Sequence, residues 1–105
     1  MTALPPLTPN EIEAANRGEA TAILIRAGYR VYRPEADVSG EDMVIRTPEG
    51  SLCPVQMKSR PTVDYRRYGE RGIWMLFPDP TGAKLGRPWF LVKQGSPNES
   101  ASPVR

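Results

Sequence analysis

The sequence predicts an α+β domain in which one N-terminal helix precedes a mixed sheet of about five strands, with a short connector helix or loop between strands. The helix is predicted because residues typical of a helix start precede a segment that ends at a glycine. The strands are predicted from the short runs of β-branched and aromatic residues that follow, which Pro and Gly residues separate. The 105 residues, with a mass of 11.7 kDa, can form one hydrophobic core. We therefore expect a single domain over residues 1–93 and, because the end is rich in Ser, Pro and Gly, a disordered tail over 94–105.

The N-terminal helix is predicted from its capping residues. Thr8 is a good N-cap, Pro9 suits the first helical position, and Glu11 stands three residues after the cap, as in a capping box. The helix should run to about Ala27 and end at Gly28. Spacings of three and four predict a core-facing side that includes one acid and consists of Ile12, Ala15, Glu19, Ala22, Ile23, Leu24, Arg26 and Ala27.

The first three strands are predicted from alternating residues at 29–33, 42–47 and 51–58. The segment 47–50 has Pro at its second position and Gly at its last, as a type I turn prefers, so the second and third strands should form a hairpin. Alternation gives this hairpin an apolar face made of Met43, Ile45, Val55 and Met57. The opposite face is polar, and it should bring together Asp42, Gln56 and Lys58.

The remaining strands are predicted at 73–77 and 88–93, and the turn residues between them predict a hairpin. The first of the two is apolar enough to be buried on both faces. The connector before them is basic and aromatic, which is typical of a nucleic-acid groove but also of a solvated loop. Its candidate nucleic-acid-binding residues are Arg60, Tyr65, Arg66, Arg67 and Arg71.

The amino-acid composition excludes several kinds of catalytic and metal-binding site. The chain has no histidine, which excludes catalysis by Ser-His or Cys-His pairs and zinc sites built on histidine. The single cysteine, Cys53, cannot form an internal disulfide and is expected to be a buried small hydrophobe. The net charge of +2 permits nucleic-acid binding without requiring it. No apolar run reaches the ~20 residues of a membrane span, so we expect a cytoplasmic protein without membrane contact.

The order of helix, three strands, connector and two strands resembles the core of the PD-(D/E)xK nuclease superfamily, which includes restriction endonuclease-like and Holliday-junction resolvase-like proteins. The resemblance rests on Asp42 for the first acid of the motif, Gln56 in place of the second and Lys58 for the lysine. Glu19 is the candidate for the helical acid that many members carry, and Glu13 is the competing choice.

The resemblance implies a small nuclease that hydrolyses DNA with Mg²⁺ or Mn²⁺. Asp42, Gln56 and Glu19 would then be the metal ligands, and Lys58 would orient water or stabilise charge on the phosphate. Two other interpretations stay open: a nuclease-like module that binds nucleic acid without cutting it, and a protein-interaction module. Each candidate also has an ordinary interpretation. Asp42 could be a turn acid and Gln56 a solvated strand residue, whereas Lys58 could be an edge-strand charge and Glu19 a helix-surface acid. DNA is the expected partner, RNA is an alternative, and a spare sheet edge permits a homodimer.

Overall fold

A computed structural model describes residues 4–36, 41–58, 72–80, 86–93 and 102–104. One helix precedes a mixed sheet of six strands, which confirms the α+β class. The elements are α1 (Pro9–Arg26), β1 (Arg30–Tyr32), β2 (Met43–Arg46), β3 (Leu52–Met57), β4 (Trp74–Pro78), β5 (Trp89–Val92) and β6 (Ser102–Pro103). Within the described ranges, no helix is both long and apolar enough to cross a membrane.

Both ends of α1 form where the capping residues predict. Thr8 is the N-cap, and its hydroxyl and the Glu11 carboxylate each accept a hydrogen bond from the other residue's backbone N–H, which completes the capping box. At the other end, Gly28 has a φ of 97°, and its N–H donates to Ile25 O at 3.0 Å. The next amide, Tyr29 N–H, donates to Leu24 O at 3.0 Å, so the helix closes in a Schellman motif.

The rotation of α1 differs from the expected one. Its buried residues are Asn16, Ala20 and Leu24, with Glu19 and Ile23 partly buried beside them. The expected core-facing stripe was wrong for Ile12, Ala15, Ala22 and Arg26, which are exposed. Apolar residues are spread around this helix, so its amphipathicity does not fix the rotation. Packing of Ala20 and Leu24 against the sheet fixes it instead.

The sheet runs β1-β2-β3-β4-β5-β6, with β3 and β4 parallel and every other neighbouring pair antiparallel. This arrangement brings the starts of β2 and β5 to the same end of the sheet as the ends of β3 and β4. We call this the site end; Asp42, Lys58, Asp79 and Arg87 flank these strand termini.

The two faces of the predicted hairpin are confirmed. The turn closes with a 2.8 Å bond from Gly50 N–H to Thr47 O, and the strand register pairs Met43 with Val55. The face that packs against α1, the inner face, buries Met43, Ile45, Val55 and Met57 in one core cluster with Leu76, Trp89 and Leu91. Cys53 lies in this core as expected, and burial raises the pKa of its thiol. The opposite face of the sheet is called the outer face below.

The sheet has one strand more than expected. Residues 102–103 were expected in the disordered tail, but Ser102–Pro103 pairs with β5 as β6. The Val104 N–H also donates to Trp89 O at 2.8 Å, and Val104 packs against the core cluster. This short segment, although it is polar, therefore pairs with the edge of β5 and places one apolar side chain, Val104, against the core. Residues 94–101 and 105, the rest of the expected tail, lie outside the described residues.

Candidate active site

Asp42 holds β2 and β3 together at the site end. Its backbone N–H donates to Val55 O at 2.9 Å, and its Oδ2 accepts a 2.7 Å hydrogen bond from Met57 N–H. The two bonds bracket Gln56 on the neighbouring strand. A hydrogen bond from a backbone N–H to a carboxylate is short and charge-assisted, so this bond fixes the Asp42 side chain in one orientation. The structure therefore brings Asp42 to the Gln-x-Lys segment, as the hairpin predicts.

Gln56 lies between β2 and β4 on the outer face. The alternation that buries Val55 and Met57 turns Gln56 the other way, and its register partner on β4 is Met75. The Gln56 Oε1 atom is buried, and it has no hydrogen-bond partner among the described residues. A buried acceptor left without a donor costs about 1–3 kcal/mol, so this oxygen would be stabilised by a cation or a donor that binds there.

Lys58 follows β3 directly at the same end. Its backbone N–H donates to Leu76 O at 2.8 Å, which extends the parallel pairing with β4 by one bond. The residue is half-buried, and alternation places it on the face of Gln56. The site end thus has the Asp42 carboxylate, the Gln56 amide and the Lys58 ammonium group on two neighbouring strands, and the Asp79 carboxylate follows the next strand, β4.

Glu19 also reaches the site end, where it is bound to Arg87. The Arg87 guanidinium donates to both carboxylate oxygens of Glu19, with a shortest distance of 2.7 Å from Nη2 to Oε2. It donates a further 2.7 Å bond to Asn16 Oδ1, and its Cζ lies 5.4 Å from the centroid of the Trp89 ring. The bonds to Glu19 raise the pKa of Arg87. The helical acid is therefore neutralised by an arginine two strands away from Gln56.

Glu13, the competing helical acid, is bound to its own helix. It forms a 3.0 Å ion pair with Arg17 one turn later, and more than half of its side chain is exposed. Of the two acids, Glu19 is the one that the structure turns toward the sheet.

Sequence reasoning did not find Arg87 or Asn16. Asn16 carries a signal that could have been used, because it stands four and eight residues before Ala20 and Leu24 on the buried stripe and a buried amide needs a partner. Arg87 carries none, since its partner Glu19 lies 68 residues away in the chain.

The donor set at the site end fits a weakly held divalent cation. Asp42 supplies carboxylate oxygen and Gln56 supplies amide oxygen, which are ligand types that Mg²⁺ and Mn²⁺ accept. Within the described ranges, no group of three or more His, Cys, Asp or Glu side chains is placed to hold a metal. A cation bound here would need further oxygen ligands from water or from a phosphate, as Mg²⁺ commonly takes them.

Arg60, Tyr65, Arg66, Arg67 and Arg71 lie outside the described residues, so their expected role in nucleic-acid binding stays a prediction. Comparisons of the chain with protein-family models, with curated proteins and with solved structures find no match. The resemblance to PD-(D/E)xK nucleases accordingly depends on the residues and the topology of this chain alone.

Proposed function

We propose that this protein is a small metal-dependent nuclease that hydrolyses phosphodiester bonds in DNA at the site end. One observation carries the proposal: the Asp42 carboxylate accepts a hydrogen bond from Met57 N–H, and the preceding residue, Gln56, has a buried amide oxygen without a partner among the described residues. The order of strands supports it, because an antiparallel meander of three strands is followed by a strand parallel to the third.

The reaction adds one water across a P–O bond and releases a phosphomonoester and a hydroxyl group. A divalent ion, when bound, supplies positive charge to the phosphate and makes a bound water more acidic. Asp42 and Gln56 are the residues that would hold it. Lys58, one residue beyond β3, would donate hydrogen bonds to the attacking water or to a phosphate oxygen and stabilise the charge that develops there.

A second candidate is a nuclease-like module that binds nucleic acid without cutting it. The observation in its favour is the charge of the site: position 56 is an amide instead of an acid, and the Glu19 carboxylate is paired with Arg87, so two of the expected ligands add no net negative charge. An ion held by so little charge would bind weakly in the absence of a phosphate.

Cleavage assays separate the two candidates. Plasmid and single-stranded DNA are incubated with Mg²⁺ or Mn²⁺ and with the parent, Lys58→Ala or Lys93→Ala. Lys93 follows β5 at the opposite end of the sheet, so its removal matches the change in charge without touching the site. We expect metal-dependent cleavage that falls by about 100-fold or more in Lys58→Ala and is kept in Lys93→Ala. Equal cleavage by Lys58→Ala, or no cleavage by the folded parent, would refute the nuclease.

Titration calorimetry with Mn²⁺ and no DNA tests the role of Gln56. Gln56→Glu adds the missing negative charge, so the variant should bind the ion more tightly than the parent. Gln56→Ala removes the oxygen and should bind it more weakly. If all three proteins bind the ion equally, Gln56 is not a ligand.

A further inference from the structure

The outer face of β1–β3 carries two arginines side by side. The strand register pairs Arg30 of β1 directly with Arg46 of β2, and both residues are exposed. Like charges opposite each other on neighbouring strands destabilise a sheet. In the described chain neither arginine forms an ion pair, and the acid of the adjoining turn, Glu49, contacts neither of them within ion-pair distance. The pair is therefore a local concentration of positive charge that no acid of the described residues compensates by an ion pair.

An exposed aromatic ring lies in the next row of the same face. Tyr32 stands two residues after Arg30, pairs with Val44 and has 47% of its surface exposed. Tyr32 lines an open groove of about 420 Å³, and so does Leu52, which is 65% exposed. The full lining of the groove is Tyr32, Val44, Arg46, Gly50 and Leu52. An accessible phenol ring beside paired guanidinium groups can stack on a base while the arginines contact phosphates.

The sheet face that carries the groove extends toward the candidate active site. Alternation puts Asp42, Val44 and Arg46 on the same face of one strand, so successive rows lead from the arginine pair past Tyr32 to Asp42 and Gln56. Four residues along a strand span about 13 Å, a distance that a few nucleotides can bridge. Because the arginine pair and the Asp42–Gln56 row lie on one face of the sheet, a single nucleic-acid strand that follows this face would run from the first to the second.

We propose that the outer face of β1–β3 binds single-stranded nucleic acid and leads it to the site end. The inference rests on the proposed function in one respect, that nucleic acid is the ligand. It holds whether or not the protein cleaves the nucleic acid. A second copy of this chain is the less suitable occupant, because two such faces would bring four arginines together. Duplex fits less well, since its bases are stacked on each other and cannot stack on Tyr32.

The test is fluorescence anisotropy with a labelled 15-nucleotide oligothymidine, in EDTA so that no cleavage occurs. The variants are Arg30→Ala/Arg46→Ala, Tyr32→Ala, Tyr32→Phe and the control Arg26→Ala, which removes an exposed arginine from α1. We expect the double variant to bind about tenfold more weakly and to reduce the slope of log K against log salt by roughly 1.4, for two phosphate contacts. Tyr32→Ala should lose about fivefold or more, whereas Tyr32→Phe keeps the ring and the affinity.

The proposal is overturned if the double variant binds like Arg26→Ala with the same salt slope, or if duplex of equal length binds as tightly as the single strand and Tyr32→Ala has no effect. A change in oligomeric state in the double variant, with unchanged binding, would also overturn it in favour of a second copy. The outcome is separate from that of the proposed function. If cleavage requires Lys58 but binding does not depend on Arg30 and Arg46, the proposed nuclease function stands and the proposed binding surface is refuted.

Discussion

Asp42 has two roles in the structure, and two substitutions at this position separate them. Its Oδ2 accepts a hydrogen bond from Met57 N–H, which holds β2 to β3, and in the proposed function its negative charge helps to hold the metal ion. Asp42→Asn keeps an oxygen acceptor of the same shape and removes the charge. Asp42→Ala removes both the acceptor and the charge.

The loss in stability that Asp42→Ala causes can be estimated from the structure. Met57 is 8% exposed, so Asp42→Ala would leave a buried backbone N–H without its partner. Such a loss costs about 1–3 kcal/mol, and for a charged acceptor the upper part of this range is expected. For a domain of about 100 residues, each kcal/mol lowers Tm by roughly 4 °C or more. Asp42→Asn should stay within about 1 kcal/mol of the parent.

Thermal unfolding and metal-dependent cleavage are measured on both variants and the parent. We expect Asp42→Ala to lose stability and cleavage together, and Asp42→Asn to lose cleavage while it keeps most of the stability. An Asn variant that cleaves like the parent would show that the charge of Asp42 has no part in the reaction. An Ala variant as stable as the parent would show that the bond to Met57 contributes nothing to the fold.

Three further predictions concern other parts of the chain. Thr8→Ala should reduce stability by about 1 kcal/mol at neutral pH. The hydrogen bond from the Thr8 backbone N–H lowers the pKa of Glu11, so this carboxylate stabilises the fold above its unfolded-state pKa, and the contribution is lost as pH falls through the lower folded-state pKa. Urea titrations should therefore show that Glu11→Ala destabilises the protein less in acid than at neutral pH, and an effect equal at all pH values would contradict the capping box. Glu19→Gln should destabilise the protein by about 1–2 kcal/mol, because it weakens the bonds to Arg87, and should leave Mn²⁺ affinity within about twofold in calorimetry; a tenfold loss would make Glu19 a metal ligand. Arg30→Glu should raise Tm at low salt, because it creates an opposite-charge pair with Arg46 worth about 0.2–1 kcal/mol, and a lower Tm would mean that the two arginines do not repel each other.

The predictable parts of this fold are those that neighbouring residues determine. Thr8 with Glu11, the glycine at 28 and the turn at 47–50 each act over a few residues, and all three form as expected. The hairpin follows from that turn and from strict alternation, so the approach of Asp42 to the end of β3 was also predictable. The expected start and end of each of the first five strands agree with the structure to within one residue.

The parts that could not be predicted depend on contacts between distant residues. The rotation of α1 is set by its packing on the sheet and by the bond from Arg87 to Asn16, neither of which the helix sequence specifies. The strand at 102–103 is too short and polar to show a periodic pattern, and it exists because β5 offers an edge. The engagement of Glu19 by Arg87 belongs to the same class, and it changes the expected charge of the candidate site.

The distribution of charge connects the two proposals. At the site end Glu19 is neutralised by Arg87 and position 56 is an amide, so these two expected ligands add no net negative charge to hold a cation. On the same face of the sheet, Arg30 and Arg46 remain side by side at a cost to stability. A phosphate chain bound along this face would satisfy the arginines, and its oxygens would complete the ligands of an ion held by Asp42 and Gln56. Metal affinity should therefore rise when single-stranded DNA is present, and this coupling should disappear when both arginines are removed.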